Sequence, residues 1–305
     1  MDTMRRNLLF SGFGALTLLS GTVIARALFP GGPSVELGDR TIRRWGCQYQ
    51  NIRLDSVAAS NLDLVVLDPI VEGQPLRIEA EAPLRRKSDG ARRLVLAYLC
   101  VGEAESYRAY WQAAWRETPP AWLGPENPRW PGSFAVKYWH PDWETLLLGP
   151  GGALDRIVEA GFDGVFLDRV DAYGDWPLRG QGAQRDMVAL VGRLAAAARA
   201  RKPGFLVVSQ NAEHLLVDDN FCAVIDAVSK ESLLYGLHGP NVANRPDETA
   251  WSLNYLQKAQ ARGLPILVIE YVSEPDLIAR ARDRLARLGF VPFFGKRLLD
   301  ELPGS

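Results

Sequence analysis

The amino-acid sequence predicts an α/β fold of the (β/α)8 class, the TIM barrel. Short runs rich in Val, Ile, Leu and Phe recur along the chain, and helical stretches separate most of them. The runs are continuously apolar, which is typical of parallel strands buried on both faces. Residues 28–305 are also close in length to the roughly 250 residues of a single barrel of this class.

The alternation of strands and helices favours a parallel sheet. The predicted helices are Met187–Ala200, Ala250–Arg262 and Pro275–Leu288. An open doubly wound sheet is the alternative, but no GxGxxG or GxxxxGK[ST] motif follows the early strands, so nucleotide binding has no support. The predicted strands, in chain order, are Trp45–Tyr49, Leu64–Asp68, Leu94–Leu99, Gly164–Asp168, Phe205–Ser209, Ala227–Lys230, Ile266–Glu270 and Val291–Phe294.

Composition excludes several classes of function. The formal net charge of −1 gives no indication of a nucleic-acid partner. Only three histidines occur, in no HxH or HExxH pattern, so we expect no metal site of the His-rich hydrolases. We expect the three cysteines to be buried free thiols, with a disulfide between two of them as the alternative: Cys47, Cys100 and Cys222.

The N-terminal segment 1–27 is predicted to be an export signal of the twin-arginine type. Arg5 and Arg6 precede an uncharged apolar stretch, Leu8–Ala25, and Ala25-Arg26-Ala27 offers small residues to a signal peptidase. An uncleaved membrane anchor is the alternative, because the stretch approaches the roughly 20 residues that span a bilayer. Either arrangement predicts a periplasmic or secreted domain.

The remainder is predicted to be a linker, 28–41, followed by one barrel domain, 42–305. The Pro- and Trp-rich stretch Thr118–Ser133 is predicted to be a long loop over one end of the barrel. Within it, Trp122 and Trp130 are the candidate platforms for a sugar ring. Just before it, four aromatic residues fall at helical spacing and are predicted to be core residues: Tyr107, Tyr110, Trp111 and Trp115.

Acidic and amide side chains follow six successive predicted strands. In a barrel of this class the carboxyl ends of the strands converge on the face that holds the active site. Two carboxylates that flank a bond are the machinery of glycoside hydrolysis, although a single acid in this position often only caps the next helix. A cation held by oxygen ligands is a secondary alternative. These residues are Asp68, Glu103, Glu105, Asp168, Asp171, Gln210, Asn211, Glu213, Glu231 and Glu270.

Three segments resemble glycoside-hydrolase family 114, whose members are endo-α-1,4-polygalactosaminidase-like barrels. They are residues 96–108 (LAYLCVGEAESYR), 136–143 (VKYWHPDW) and 161–173 (GFDGVFLDRVDAY). The likeness covers about residues 42–296, and its most specific part surrounds Asp168. Arg169, a large cation beside that acid, departs from what the family leads us to expect.

The resemblance implies endo-cleavage of an α-1,4-linked galactosamine-containing polysaccharide without a metal or organic cofactor. It assigns catalysis to Asp168 and Glu231, with Glu213 as the rival for the second carboxylate. The alternative function is a non-catalytic carbohydrate-binding or polysaccharide-export accessory barrel. We expect an amino-sugar polymer as partner, no membrane contact beyond an N-terminal anchor, and these substrate-binding residues: Tyr49, Asp68, Glu103, Lys137, Asp171, Tyr173, Asn211, Glu213, Glu270 and Tyr271.

The export signal gives a testable prediction. We expect the mature protein to begin near Arg26–Leu28, because signal peptidase requires the small residues before that point. Changing both Arg5 and Arg6 to Lys should stop transport. N-terminal sequencing of the extracytoplasmic protein is the measurement, and recovery of Met1 would contradict cleavage while leaving the anchor alternative.

Overall fold

A computed structural model of the protein describes residues 32–302. The predicted export signal, 1–27, lies outside the described residues. Eight parallel strands form one sheet whose order follows the chain, so the predicted (β/α)8 class is confirmed. The strands are β1 Trp45–Gln48, β2 Leu64–Leu67, β3 Leu94–Cys100, β4 Gly164–Asp168, β5 Leu206–Gln210, β6 Ala227–Glu231, β7 Ile266–Glu270 and β8 Val291–Phe294.

Helices cover the outside of this sheet. The three predicted helices are confirmed, and two of them begin earlier than their apolar patterns indicated. Within residues 32–302, no helix has the length and apolar character needed to cross a bilayer. The helices are α1 Leu54–Ala59, α2 Pro141–Leu148, α3 Ala153–Glu159, α4 Gln181–Arg201, α5 Asp219–Val224, α6 Pro246–Ala261 and α7 Pro275–Leu288.

Each barrel strand buries both of its faces. In β2, Leu64 and Val66 belong to the cluster that fills the barrel interior. Val65 and Leu67 belong to the cluster between the strands and the helices. Since successive side chains of a strand point to opposite faces, a strand buried on both sides must be apolar throughout, which explains the continuous runs.

Contacts outside the hydrogen-bonded ladder join β1 to β8. The indole Nε1 of Trp45 donates a hydrogen bond of 3.0 Å to the carbonyl oxygen of Val291. The Trp45 ring also lies 5.7 Å from the ring of Phe293. Beyond β8 the chain returns, and Tyr49 N–H donates to Leu299 O at 2.8 Å. A buried Trp with its N–H satisfied therefore brings the two ends of the sheet together.

Part of the segment predicted as a linker forms a β-hairpin. Val35–Leu37 pairs in antiparallel fashion with Arg40–Ile42. Leu37 and Ile42 are buried in the interior cluster with Leu206, the first residue of β5. This hairpin therefore covers the amino-terminal end of the barrel, because its apolar side chains fill space that the strands leave open there.

The Pro- and Trp-rich stretch is not the predicted loop. Its residues Leu123–Glu126 form a strand that pairs with Ser133–Val136, which in turn pairs with Glu103–Glu105. The helical spacing before it was also misleading, since the region contains only a short 3-10 helix, Ala113–Arg116. Hydrogen bonding to the strand after β3 overrides the local pattern there.

The aromatic and sulfur predictions are confirmed in part. Trp122 is 2 % exposed and packs in the core, so it offers no platform, whereas Trp130 is 39 % exposed. Tyr107, predicted to be core, is 66 % exposed. The cysteines are free thiols, and two of the three are fully buried: Cys47 and Cys100.

Two glycines should respond in opposite ways to substitution by Ala. A Cβ at Gly164 would lie 2.3 Å from the carbonyl oxygen of Leu206, where β4 and β5 pack closely, so Gly164→Ala should cost roughly 1–3 kcal/mol or more. A Cβ at Gly192, inside α4, would meet nothing within 4 Å, so Gly192→Ala should stabilise by about 0.5–1 kcal/mol. Urea unfolding of both variants measures this, and equal stability of Gly164→Ala and wild type would contradict the close strand contact.

Candidate active site

A cleft of about 770 Å³ opens at the carboxyl ends of the barrel strands. The antiparallel sheet that follows β3 forms one wall, and the segment after β8 forms another. The structure brings eight of the predicted site residues into the lining of this cleft: Tyr49, Asp68, Glu103, Asp168, Asp171, Asn211, Glu231 and Tyr271. Four predicted residues lie outside that lining: Lys137, Tyr173, Glu213 and Glu270.

Glu270 differs from its expected position because of the alternation of side chains along β7. Leu267 and Ile269 point into the barrel, so Glu270 points outward and has no exposed surface. Its carboxylate accepts the backbone N–H groups of Leu234 and Tyr235, at 2.7 and 3.2 Å. Burial raises the pKa of Glu270 to about 7, although those N–H donors oppose the rise. Glu270 therefore holds the segment that follows β6.

The other three residues also have local partners. Glu213 forms an ion pair of 2.9 Å with Lys230 and accepts a hydrogen bond from Ser252. Burial raises the pKa of Glu213, but the Lys230 ammonium outweighs it and leaves that pKa below its usual range. Lys137 Nζ donates to a backbone carbonyl, and Tyr173 packs against the core between strands and helices.

Asp168 ends β4 with its side chain pointing into the cleft. One carboxylate oxygen accepts a hydrogen bond of 2.8 Å from the Tyr98 hydroxyl, and the other accepts the Arg169 N–H at 2.8 Å. Burial and then the negative charge of Glu231 raise the pKa of Asp168 to about 7, against the lowering effect of Tyr98. At neutral pH this carboxyl group is therefore poised between its protonated and ionised forms.

Glu231 ends β6 and also points into the cleft. Its Oε1 accepts a hydrogen bond from the Tyr271 hydroxyl. Its Oε2 accepts one of 3.2 Å from the Asn211 side-chain amide. The same Asn211 accepts the Glu231 backbone N–H at 3.2 Å, so a single amide positions both the strand end and its carboxylate.

Arg108 neutralises two acids at the wall of the cleft. Its guanidinium donates both terminal nitrogens to Asp68, at 2.7 and 2.8 Å, and its Nε to Glu105 at 2.7 Å. The Tyr107 hydroxyl also donates to Glu105. A two-pronged arginine–carboxylate contact of this kind is strong and geometrically specific.

Arg169 also neutralises acids that line the cleft. It forms ion pairs with Glu103 at 2.9 Å, with Asp171 at 3.1 Å and with Asp175. Its backbone has φ +58°, a left-handed conformation that is uncommon for a residue with a side chain. This conformation directs the guanidinium toward the acids. Pairing them is the structural role of Arg169, the cation that departs from what the family leads us to expect.

These contacts change the expected electrostatics of the cleft. The sequence placed a set of acids at the carboxyl ends of the strands, and internal arginines pair most of those that line the cleft. Within residues 32–302, Asp168 and Glu231 are the cleft carboxylates that have no cationic partner within ion-pair distance. The uncompensated negative charge is therefore concentrated on two neighbouring groups.

Sequence reasoning missed several residues of the cleft. Tyr98 could have been found from the alternation within β3, since it shares the inward face with apolar neighbours. Gln210 was expected at the strand ends but not among the substrate-binding residues, and it also lines the cleft. Arg108 had no such signal, because it lies on a loop and only the fold brings it to Asp68. Trp130 was found, and Arg297 packs over its ring at 5.8 Å.

The chain has relatives of similar length. An uncharacterised protein of Deinococcus radiodurans is 40% identical over 275 residues, which cover 88% of this chain and 85% of that protein. An uncharacterised protein of Methanocaldococcus jannaschii is 32% identical over 275 residues, covering 85% of this chain and 77% of that protein.

Solved structures share the fold. The glycoside hydrolase domain of PelA from Pseudomonas aeruginosa matches with a TM-score of 0.66 and 24% identity, over 86% of this chain and 97% of that domain. Ega3 of Aspergillus fumigatus, solved in complex with galactosamine, matches with a TM-score of 0.61 and 18% identity, over 89% and 95% of the two chains.

The family comparison agrees with the barrel and its acid-lined cleft. The model of glycoside-hydrolase family GH114 matches residues 37–303, which include every barrel strand and both unpaired carboxylates. The chain therefore belongs to glycoside-hydrolase family GH114 and is a glycoside hydrolase.

Proposed function

We propose that this glycoside hydrolase cleaves a galactosamine-containing polysaccharide with Asp168 and Glu231 as its acid/base pair. The observation that carries the proposal is that these two carboxylates face the cleft without a cationic partner among residues 32–302. Glycosidases of the two-carboxylate type need one group that donates a proton to the leaving oxygen and one that attacks the sugar or activates water.

The surroundings of the pair suit those two tasks. A pKa of about 7 leaves Asp168 able to hold a proton at neutral pH, which a general acid requires. Tyr271 and Asn211 hold the Glu231 carboxylate in a fixed orientation. The two groups lie on strands separated only by β5, so a sugar ring in the cleft would contact both.

The proposed substrate is an α-1,4-linked polymer of galactosamine units. Ega3, which shares the fold, was solved with galactosamine. A sugar that carries an ammonium group would also lower the electrostatic energy of a cleft whose uncompensated charge is negative. We further propose that the enzyme acts outside the cytoplasm, exported by the signal in residues 1–27, where a large polysaccharide is accessible.

The first experiment tests the pair itself. Asp168→Asn and Glu231→Gln should each lower kcat by at least about 10²–10⁴-fold, because general acid–base assistance is lost. Reducing-end release from partly deacetylated α-1,4-galactosamine polymer is the measurement. Glu213→Gln is the matched control, since Glu213 is an acid paired with Lys230 outside the cleft lining.

Three outcomes would count against this assignment. Near-normal turnover by Glu231→Gln with loss in Glu213→Gln would make Glu213 the second carboxylate. Equal release by wild type and Asp168→Asn would remove Asp168 from catalysis. Binding of the polymer by wild type without any new reducing ends would support the non-catalytic accessory barrel.

The raised pKa of Asp168 predicts how stability depends on pH. The folded protein holds this proton up to about pH 7, whereas the unfolded chain releases it near pH 4, so wild type loses stability as pH rises between those values. Asp168→Asn cannot ionise and should become more stable than wild type by up to about 4 kcal/mol above pH 7. Urea unfolding at pH 5 and pH 8 measures the difference, and a constant difference would contradict the raised pKa.

A further inference from the structure

We propose that Gln210 binds the substrate, and that its side-chain amide accepts a hydrogen bond from a hydroxyl or amino group of the sugar between Asp168 and Glu231. The inference rests on the proposed function, because it concerns the same cleft. It adds a substrate contact that neither carboxylate supplies.

The position of Gln210 follows from the sheet. Gln210 is the last residue of β5, which pairs with β4 on one side and with β6 on the other. Its register partner on β6 is Ser229, two residues before Glu231. Val208 points into the barrel interior, so Gln210, two residues later, points inward as well and lines the cleft. The amide therefore lies between the strand ends that carry Asp168 and Glu231.

The amide oxygen of Gln210 lacks a partner. The residue is only 4 % exposed, and within residues 32–302 no group donates a hydrogen bond to its Oε1. A buried polar atom without a partner costs free energy comparable to a lost hydrogen bond, so such an atom in a native site needs an explanation. A donor on a bound sugar provides one.

A second buried glutamine shows what a structural amide does in this fold. Gln48 is 3 % exposed, and its Nε2 donates to the carbonyl oxygens of Gln50, Asn51 and Asp300. Those bonds tie the end of β1 to the turn that follows it and to the C-terminal segment, so the Gln48 side chain is held through its nitrogen although its Oε1 also lacks a partner within residues 32–302. Gln210 makes no comparable contact with the described residues, so its amide contributes nothing similar to the fold.

The chemistry of the ligand group is a neutral or cationic hydrogen-bond donor. An amide oxygen accepts from O–H and N–H alike, and an amino sugar carries both. The two sources differ in charge, so a carboxylate in place of the amide would attract an ammonium group and leave a hydroxyl contact largely unchanged.

The test compares two substitutions on one strand. Gln210→Met removes the amide with little change in volume. Ser209→Ala is the matched control, since Ser209 is fully buried, its Oγ also lacks a partner within residues 32–302, and it points to the opposite side of β5. We expect both variants to keep or exceed the wild-type Tm, while only Gln210→Met raises KM for the galactosamine polymer by about tenfold.

A third variant, Gln210→Glu, identifies the donor. If the sugar presents an ammonium group, KM should fall for the partly deacetylated polymer and not for the fully acetylated one. If it presents a hydroxyl, KM should stay close to the wild-type value for both polymers. Either result keeps Gln210 as a substrate-binding residue.

Two results would overturn the inference alone. One is a Gln210→Met enzyme with wild-type KM and kcat. The other is a Gln210→Met enzyme that is less stable than Ser209→Ala and loses activity only in proportion to its unfolded fraction, because the amide would then be structural. A wild-type enzyme that neither cleaves the polymer nor binds galactosamine in calorimetry would instead overturn the proposed function, and this inference with it.

Discussion

The alternation of side chains along strands buried on both faces is the constraint on which the rest of the structure depends. Even-numbered residues of β4, such as Phe166, fill the barrel, while its odd-numbered residues pack under the helices. The same alternation continues to the end of the strand and aims Asp168 into the cleft. It aims Glu231 inward from β6 and turns Glu270 away from the cleft at the end of β7. A shift of one residue in any of these strands would exchange a side chain that faces the cleft for one buried outside the barrel.

The cleft combines many charges with little uncompensated charge. Arg108 and Arg169 each form ion pairs with at least two carboxylates, so these acids order the walls and do not repel one another. Removing either arginine would leave carboxylates partly buried without a partner, which is costly. Because neither arginine pairs with Asp168 or Glu231, the uncompensated negative charge of the cleft lies on these two carboxylates.

The same site carries strain and a cost in stability. The residues that follow β4, β5 and β6 have left-handed backbones, with φ +58° at Arg169, +56° at Asn211 and +50° at Ser232. Such conformations persist only where surrounding contacts hold them, and they cluster at functional sites. Ionisation of Asp168 in a buried setting further opposes folding at neutral pH. The closely packed barrel beneath the site, whose first and last strands are joined through Trp45, stabilises the fold. This stability offsets the cost of the left-handed backbones and of the buried Asp168 carboxyl group.

The sequence by itself determined the eight strands, their order and the two strand ends that carry Asp168 and Glu231. It could do so because burial of both faces leaves a continuous apolar run, and a run ends where the chain meets solvent. Only the tertiary structure decided which acids remain unpaired. Arg108 forms an ion pair with Asp68, forty positions earlier in the chain, and an ion pair with Lys230 holds Glu213 outside the cleft lining. Tertiary structure also turned Tyr107 outward and made a strand of Leu123–Glu126, against the local pattern. Ion pairs between residues far apart in the chain, and pairing between strand edges, depend on positions in space. Local periodicity of the sequence does not encode these positions.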